Sequence, residues 1–226
     1  MVTGAPSPGS DAREGNRQGL SQYVFDALRD ALRAGQYRPG DRLREEEVAH
    51  RLKVSRTPVR EAFSRLLAKR LVEPASGRGL VVRRLGSAEV FELYAMREIL
   101  EGAAARLSAQ HGAPAEHQVL ADIGQRFAAV APEASDLAAD LNHRFHDTLY
   151  ASARNHYLDA ALQEMQDAIA LLGPTTYSVP GRHAEACREH AAIVEAVALR
   201  DADTAEQVAR EHIRRSLAAR VLLLHG

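Results

Sequence analysis

Asn142, His146, His190 and His212 have the types and spacing to meet around a metal ion. Asn142 and His146 are four residues apart, so on a helix they stack on one side, beside Phe145, Leu149 and Tyr150. His190 runs in line with Ile193, Val194 and Val197, and His212 with Val208, Ala209, Ile213 and Leu217. Imidazoles that converge in a helical core commonly hold a divalent cation, with an amide or carboxylate oxygen beside them. The competing reading is a hydrogen-bonded structural histidine at each position. His50, His111, His117, His143, His156, His183 and His225 fall on polar faces or near helix ends and are expected at the surface.

A second set lies upstream. Leu43 to Leu52 forms a short amphipathic stretch, Lys53-Val54-Ser55 a tight connection, and Arg56 onward a second helix. Ser55 suits an N-cap and Pro58 the first turn, where a missing N–H costs little. Val59, Ala62, Phe63 and Leu66 recur at helical spacing toward a core, leaving Arg56, Thr57, Arg60 and Ser64 on the other side. Two helices joined by a short turn, the second presenting arginines and hydroxyls near its start, form a helix-turn-helix reader of the major groove. Arg56 and Arg60 would meet guanine edges or phosphates, with Ser55 and Thr57 fixing the backbone and Arg44 adding a phosphate contact. Leu71 to Pro74 and Leu80 to Arg83 are β-prone runs flanking Gly77-Arg78-Gly79, a hairpin wing whose Arg78 would reach the minor groove or phosphates. An ordinary exposed loop arginine is the alternative for Arg78.

These sites need scaffolding, and the chain supplies it in two parts. Residues 1–17 are rich in Gly, Pro, Ser and charge and read as a disordered tail. Residues 18–84 carry the winged helix-turn-helix, opened by a helix from Gln18 to Ala34 whose repeat is Leu20, Tyr23, Val24, Ala27, Leu28, Ala31 and Leu32. Residues 85–226 are helical in pattern throughout, with helices expected near 87–111, 115–130, 133–153, 156–172, 182–199 and 202–224. The fold class is therefore mostly α, a winged helix-turn-helix with a small β-hairpin wing followed by an antiparallel bundle of six to seven helices. Residues 1–86 hold 17 Lys and Arg against 10 Asp and Glu, and residues 87–226 hold 12 against 20. That division joins a nucleic-acid module to one that avoids nucleic acid. The single cysteine, Cys187, fits a reducing cytoplasm, and no apolar run is long enough for a membrane span.

The run Pro39-Gly40-x-x-Leu43, Val48-Ala49 and Val54-Ser55-Arg56-Thr57-Pro58-Val59-Arg60-Glu61-Ala62 resembles the winged helix-turn-helix of GntR-type bacterial transcriptional regulators. Asn142-x-x-Phe145-His146-x-x-Leu149, Glu189-His190-x-x-Ile193-x-x-Ala196 and Ala209-x-x-His212 resemble the FCD effector domain of the FadR-type branch. The resemblance implies a divalent metal on Asn142, His146, His190 and His212. It departs at Asn142, where Asp is usual; three imidazoles and one amide then suit Zn²⁺ or Ni²⁺, with Mn²⁺ a further option, better than Mg²⁺ or Ca²⁺. It implies that Arg97, in Tyr94-x-x-Arg97-Glu98-x-x-Glu101, pairs with the carboxylate of a small organic-acid effector, against the alternative of an ion pair with Glu101. Glu46 stands where some relatives place an arginine, which weakens the case for a base contact there.

The expected protein is a DNA-binding transcriptional regulator, a repressor rather than an enzyme. It would bind a near-palindromic operator in double-stranded DNA as a homodimer under effector control, with no membrane partner. A metal-dependent hydrolase fused to a DNA-binding domain, and an architectural DNA-binding protein without effector, are the alternatives from other classes.

Overall fold

The computed structural model describes residues 8–131 and 133–225, with side chains from Gly19 to Ala131 and from Glu133 to Leu224. The chain divides into two compact units, one comprising the chain up to Arg84 together with Ile169–Gly173, the other Leu85–Ala168 and the chain from Pro174.

In the first unit, α1 (Pro8–Arg33) precedes β1 (Arg42–Leu43), α2 (Glu45–Leu52), α3 (Arg56–Ala68), β2 (Val72–Pro74) and β3 (Leu80–Val82). Residues 1–7 of the expected tail lie outside the described residues, but from Pro8 the chain is helical. A helix already nucleated by the apolar repeat extends backward at one hydrogen bond per residue, and proline is tolerated in its first turn. Within α1, Val24, Leu28, Ala31 and Leu32 are buried as the repeat requires, whereas Tyr23 is 53% exposed and Phe25 takes a core place instead. Phe25 lies beneath the Arg65 guanidinium, 4.0 Å from its ring centroid, which ties α1 to α3. The turn between α2 and α3 bends at Lys53, whose φ of 55° is left-handed and whose N–H caps α2 by reaching the carbonyls of Ala49 and His50. Val48, Ala49, Val59, Ala62, Phe63 and Leu66 close the core beneath it. The wing is larger than the expected hairpin. β1 adds to it, giving an antiparallel sheet in the order β1-β3-β2, with Leu80 opposite both Leu43 and Pro74. A two-residue strand has too little alternation to be seen in sequence.

The second unit is built from α4 (Ser87–His111), α5 (Pro114–Ala128), α6 (Ser135–Ser152), α7 (His156–Ile169) as far as Ala168, α8 (Arg182–Ala198) and α9 (Ala202–His225), with a 3₁₀ turn at Thr176–Ser178; the 3₁₀ turn at Ala170–Leu172 groups with the first unit. α4 lies along α9, α5 packs on α6 and α8, and α8 packs on α9. Ala104, Ala105, Ala109, Ala196, Ala205 and Ala209 share the core with Leu120, Ile123, Phe145, Leu149 and Ile193. Small side chains let the helices approach closely, so the groups that follow sit at short range. His117 departs from its surface expectation: it is 7% exposed, with Nε2 3.1 Å from the Ser108 carbonyl. His183 is half-buried, with Nε2 3.0 Å from the Phe127 carbonyl. The side chain of His225 lies outside the described ones.

Gly112 follows α4 as its C-cap, and a side chain has no room there: a Cβ would lie 2.7 Å from the Ser108 carbonyl and press on His117 Nε2. Gly112→Ala is expected to cost about 1–3 kcal/mol, measured as a lower urea midpoint with unchanged slope.

Candidate nucleic-acid interface and metal centre

Ser55 occupies the N-cap of α3 in extended geometry, although its hydroxyl makes no capping hydrogen bond. Arg56, Thr57 and Arg60 follow on the exposed side of α3, and Pro58, in its first turn, is buried. Arg56 and Arg60 face the first turn of α2. Arg60 Nε donates to both Glu45 carboxylate oxygens at 3.2 and 3.1 Å, and Arg56 Nη2 lies 3.0 Å from Glu46 Oε1. Arg44, the residue before α2, donates through Nη1 to Glu47 Oε1 at 2.9 Å. Arg78 is exposed between Gly77 and Gly79, whose φ values of 109° and 100° form the wing tip. At Gly79 a Cβ would sit 2.7 Å from the Leu43 carbonyl, so β1 also excludes a side chain there.

In the second unit the three histidines converge. His146 from α6, His190 from α8 and His212 from α9 are 1%, 1% and 3% exposed, and one nitrogen from each lies within 4.8 Å of the others. Their ring centroids are 4.9 to 5.8 Å apart. His190 stacks on Phe145 at 4.2 Å between centroids, which fixes its plane.

Two carboxylates aim two of these rings: Glu101, which the sequence offers only as an ion-pair partner for Arg97, and Glu189, to which it gives no role. Glu189 Oε2 lies 2.7 Å from His212 Nδ1, and Arg182 grips the same carboxylate through both terminal nitrogens at 2.9 and 2.7 Å. Glu101 Oε1 accepts from Arg97 Nε at 2.8 Å, and its Oε2 lies 2.8 Å from His146 Nδ1, an ion-pair contact without hydrogen-bond alignment. Arg97, Glu101, Arg182 and Glu189 are all buried. The ion pair raised as the alternative for Arg97 is thus formed, and its guanidinium also lies 4.7 Å from the Tyr94 ring centroid. A carboxylate on Nδ1 selects the tautomer that turns Nε2 inward, the arrangement that raises the basicity of metal-binding imidazoles.

The protonation states follow from this packing. Burial opposes the charge on Glu189, but the bonds from His212 and Arg182 outweigh it and bring the carboxyl down to about 2. Burial is likewise outweighed at Glu101 by Arg97 and His146, which hold it well below the usual range. Burial takes His212 down to about 4 despite the Glu189 bond, and pushes His190 well below the ordinary imidazole value, with His212 and His146 adding to the effect. Neutral rings are what a metal ion requires. His146 Nε2 and both nitrogens of His190 have no hydrogen-bond partner among the described residues although buried. Such orphaned atoms are costly in a core and point to a missing ligand.

Asn142 lies on α6 four residues before His146. Its Oδ1 accepts a hydrogen bond from the hydroxyl of Tyr177, in the 3₁₀ turn Thr176–Ser178, at 2.7 Å. An amide oxygen has two lone pairs, so a second interaction is open to it.

A winged helix-turn-helix joined to an all-helical unit with a buried histidine cluster defines a one-chain DNA-binding regulator. Comparison with known proteins gives its family. Residues 20–82 match the bacterial regulatory proteins of the gntR family and residues 92–215 match the FCD domain, and the chain belongs to the GntR family with an FCD domain. It is 38% identical over 139 residues to an HTH-type transcriptional regulator in the TAR-I ttuE-ttuC′ intergenic region of Agrobacterium vitis, covering 60% of this chain and 81% of that one. It is 27% identical over 220 residues to the Glc operon transcriptional activator of Escherichia coli K12, covering 87% and 84%. The fold is shared with E. coli McbR/YncC, at a TM-score of 0.82 and 21% identity over 91% of this chain and 98% of that one. The protein is a transcriptional regulator and not an enzyme, which sets aside the hydrolase alternative. Among the described residues no helix is long and apolar enough to cross a membrane.

Because His190 and His212 titrate lower in the folded chain than near 6.5 when unfolded, the unfolded state takes up more protons below that pH. Their contribution to stability is present above pH 6.5 and is lost as pH falls toward 4. Thermal melts of chelator-treated protein should show a lower Tm at pH 5 than at pH 7.5. An unchanged Tm would contradict the depressed values.

Proposed function

We propose that this regulator binds operator DNA as a homodimer, through α3 and the β2–β3 wing, and that a small organic acid bound at a metal ion in the FCD domain controls its affinity. The observation that carries the sensing half is the set of buried imidazole nitrogens left without partners among the described residues. His146, His190 and His212 would hold the ion, and Asn142 would supply a fourth donor through the lone pair that Tyr177 leaves. Neutral nitrogen donors favour Zn²⁺ or Ni²⁺, with Mn²⁺ a further option. When bound, the ion supplies a Lewis-acid position for a carboxylate oxygen. Glu101 and Glu189 hold the rings in register, and Arg97 is the cation that pairs with the effector's carboxylate.

On the DNA side, Arg56 and Arg60 would read base edges or phosphates, Ser55 and Thr57 would meet the backbone, and Arg44 and Arg78 would add phosphate or minor-groove contacts. Two copies would place their recognition helices in successive major grooves of a near-palindromic site, about 34–36 Å apart. The exposed apolar side chains of α4 support dimerisation: Phe91, Met96 and Ile99 are 48%, 45% and 53% exposed on one helix. The proposed sign is repression, whereas the Glc operon relative of E. coli is an activator. Effector coupling of this kind is worth about 1–3 kcal/mol.

His190→Ala should abolish metal retention, read by elemental analysis of protein purified without chelator, while its circular dichroism stays helical. Full occupancy in that variant would remove His190 from the ligand set. Glu189→Gln should weaken metal binding roughly 10- to 100-fold, read by competition with a chromophoric chelator. Arg60→Ala should cost about 1–3 kcal/mol of operator affinity, read by mobility shift.

A further inference from the structure

The reading face of the first unit carries an acid for every arginine assigned to it on α3 and at the start of α2. Three consecutive glutamates open α2, where the helix N-terminus favours carboxylates, and each faces one arginine: Glu45 and Arg60, Glu46 and Arg56, Glu47 and Arg44. Exposed ion pairs of this kind contribute little stability. Their geometry is more informative, because the three are not equivalent.

Glu46 and Glu47 are 74% and 60% exposed, and they take terminal nitrogens of Arg56 and Arg44. Those are the atoms a base edge or phosphate would need, so either contact must break when DNA arrives. Glu45 differs on both counts. Its side chain is only 27% exposed, and it takes Arg60 through Nε, with both oxygens sharing that one N–H. A guanidinium held by Nε can still direct its two terminal nitrogens away from the helix pair. That pair of donors is the fork that meets guanine O6 and N7 bidentately. Glu45 also lies 3.9 Å from Arg56 Nε, so one carboxylate touches both recognition-helix arginines from behind.

We propose that Glu45 is a positioning residue for sequence recognition, holding Arg60 by its Nε so that the terminal fork is presented to a guanine edge. The role rests on α3 being the recognition helix. A negative charge at this place adds nothing to attraction for phosphates and slightly opposes it. Its contribution is therefore to discrimination between sequences, and loss of the charge separates the two quantities.

The test uses the full chain, Glu45→Ala, Glu45→Gln and Arg60→Ala, with a duplex selected by the wild-type protein from a random pool. Dissociation constants are measured for the selected duplex, for each of its single-base-pair variants and for unselected duplex, over a range of salt. Arg60→Ala identifies the base pair that Arg60 reads, as the position where wild-type discrimination disappears. Glu45→Ala is expected to lose roughly 5- to 150-fold discrimination at that same position, while binding unselected duplex as tightly as wild type or more tightly. Glu45→Gln, which keeps an oxygen acceptor for Nε, should recover part of it. Full discrimination retained by a folded Glu45→Ala would overturn the proposal, as would an equal loss at every base pair and on unselected duplex. If wild-type protein selects no duplex at all, the recognition-helix reading fails first, a different outcome from either.

Discussion

Burying a carboxylate is expensive unless something charged and something polar meet it in the same place. Glu101 and Glu189 satisfy that condition in parallel ways, each lying between an arginine and an imidazole, and the geometry of the helical unit follows from keeping both arrangements intact. Arg97 and Glu101 share α4, Arg182 and Glu189 share α8, and the imidazoles they steer come from α6 and α9. Four helices are therefore locked in rotation as well as in spacing. A turn of any one by a single residue would strand a charge in an alanine-lined core.

The same packing encloses the histidine cluster: all three rings are buried, and Phe145 stacks on His190. Among the described residues, a hydrogen-bond partner is supplied for the outward nitrogen of His212, a carboxylate contact for that of His146, and none for His190. A core of this kind is organised around a position rather than around a set of mutual contacts, which is how binding sites differ from ordinary polar networks.

Much of this was legible in the sequence. The inward faces of His146, His190 and His212 followed from helical spacing, and their meeting within 4.8 Å is what that spacing could suggest but not establish. The helix-turn-helix is readable because Ser55 occupies the N-cap position (without a capping hydrogen bond), Pro58 falls in the first turn and the Val59–Leu66 repeat packs inward. The contacts of Glu101 and Glu189 with the imidazoles are not readable from spacing, because His146 and His212 are on other helices, and Arg182 is seven residues from Glu189, outside the usual helical pairing distance. His117 was misplaced because its partner is a carbonyl exposed by the end of α4, which no side-chain pattern encodes. β1 was invisible because its pairing depends on β3, thirty-odd residues downstream.

The buried charges around the histidines also carry an arithmetic of their own. Glu101 and Glu189 contribute two negative charges and the buried Arg97 and Arg182 two positive ones, with the exposed Arg215 3.6 Å from Glu189, so with neutral rings this buried set is electrically balanced before anything enters it. A divalent cation would tip that balance to an excess of two in a medium that screens poorly. Electroneutrality would then be restored most readily by a guest carrying two negative charges of its own, so the metal and the acid would be acquired as a nearly neutral pair.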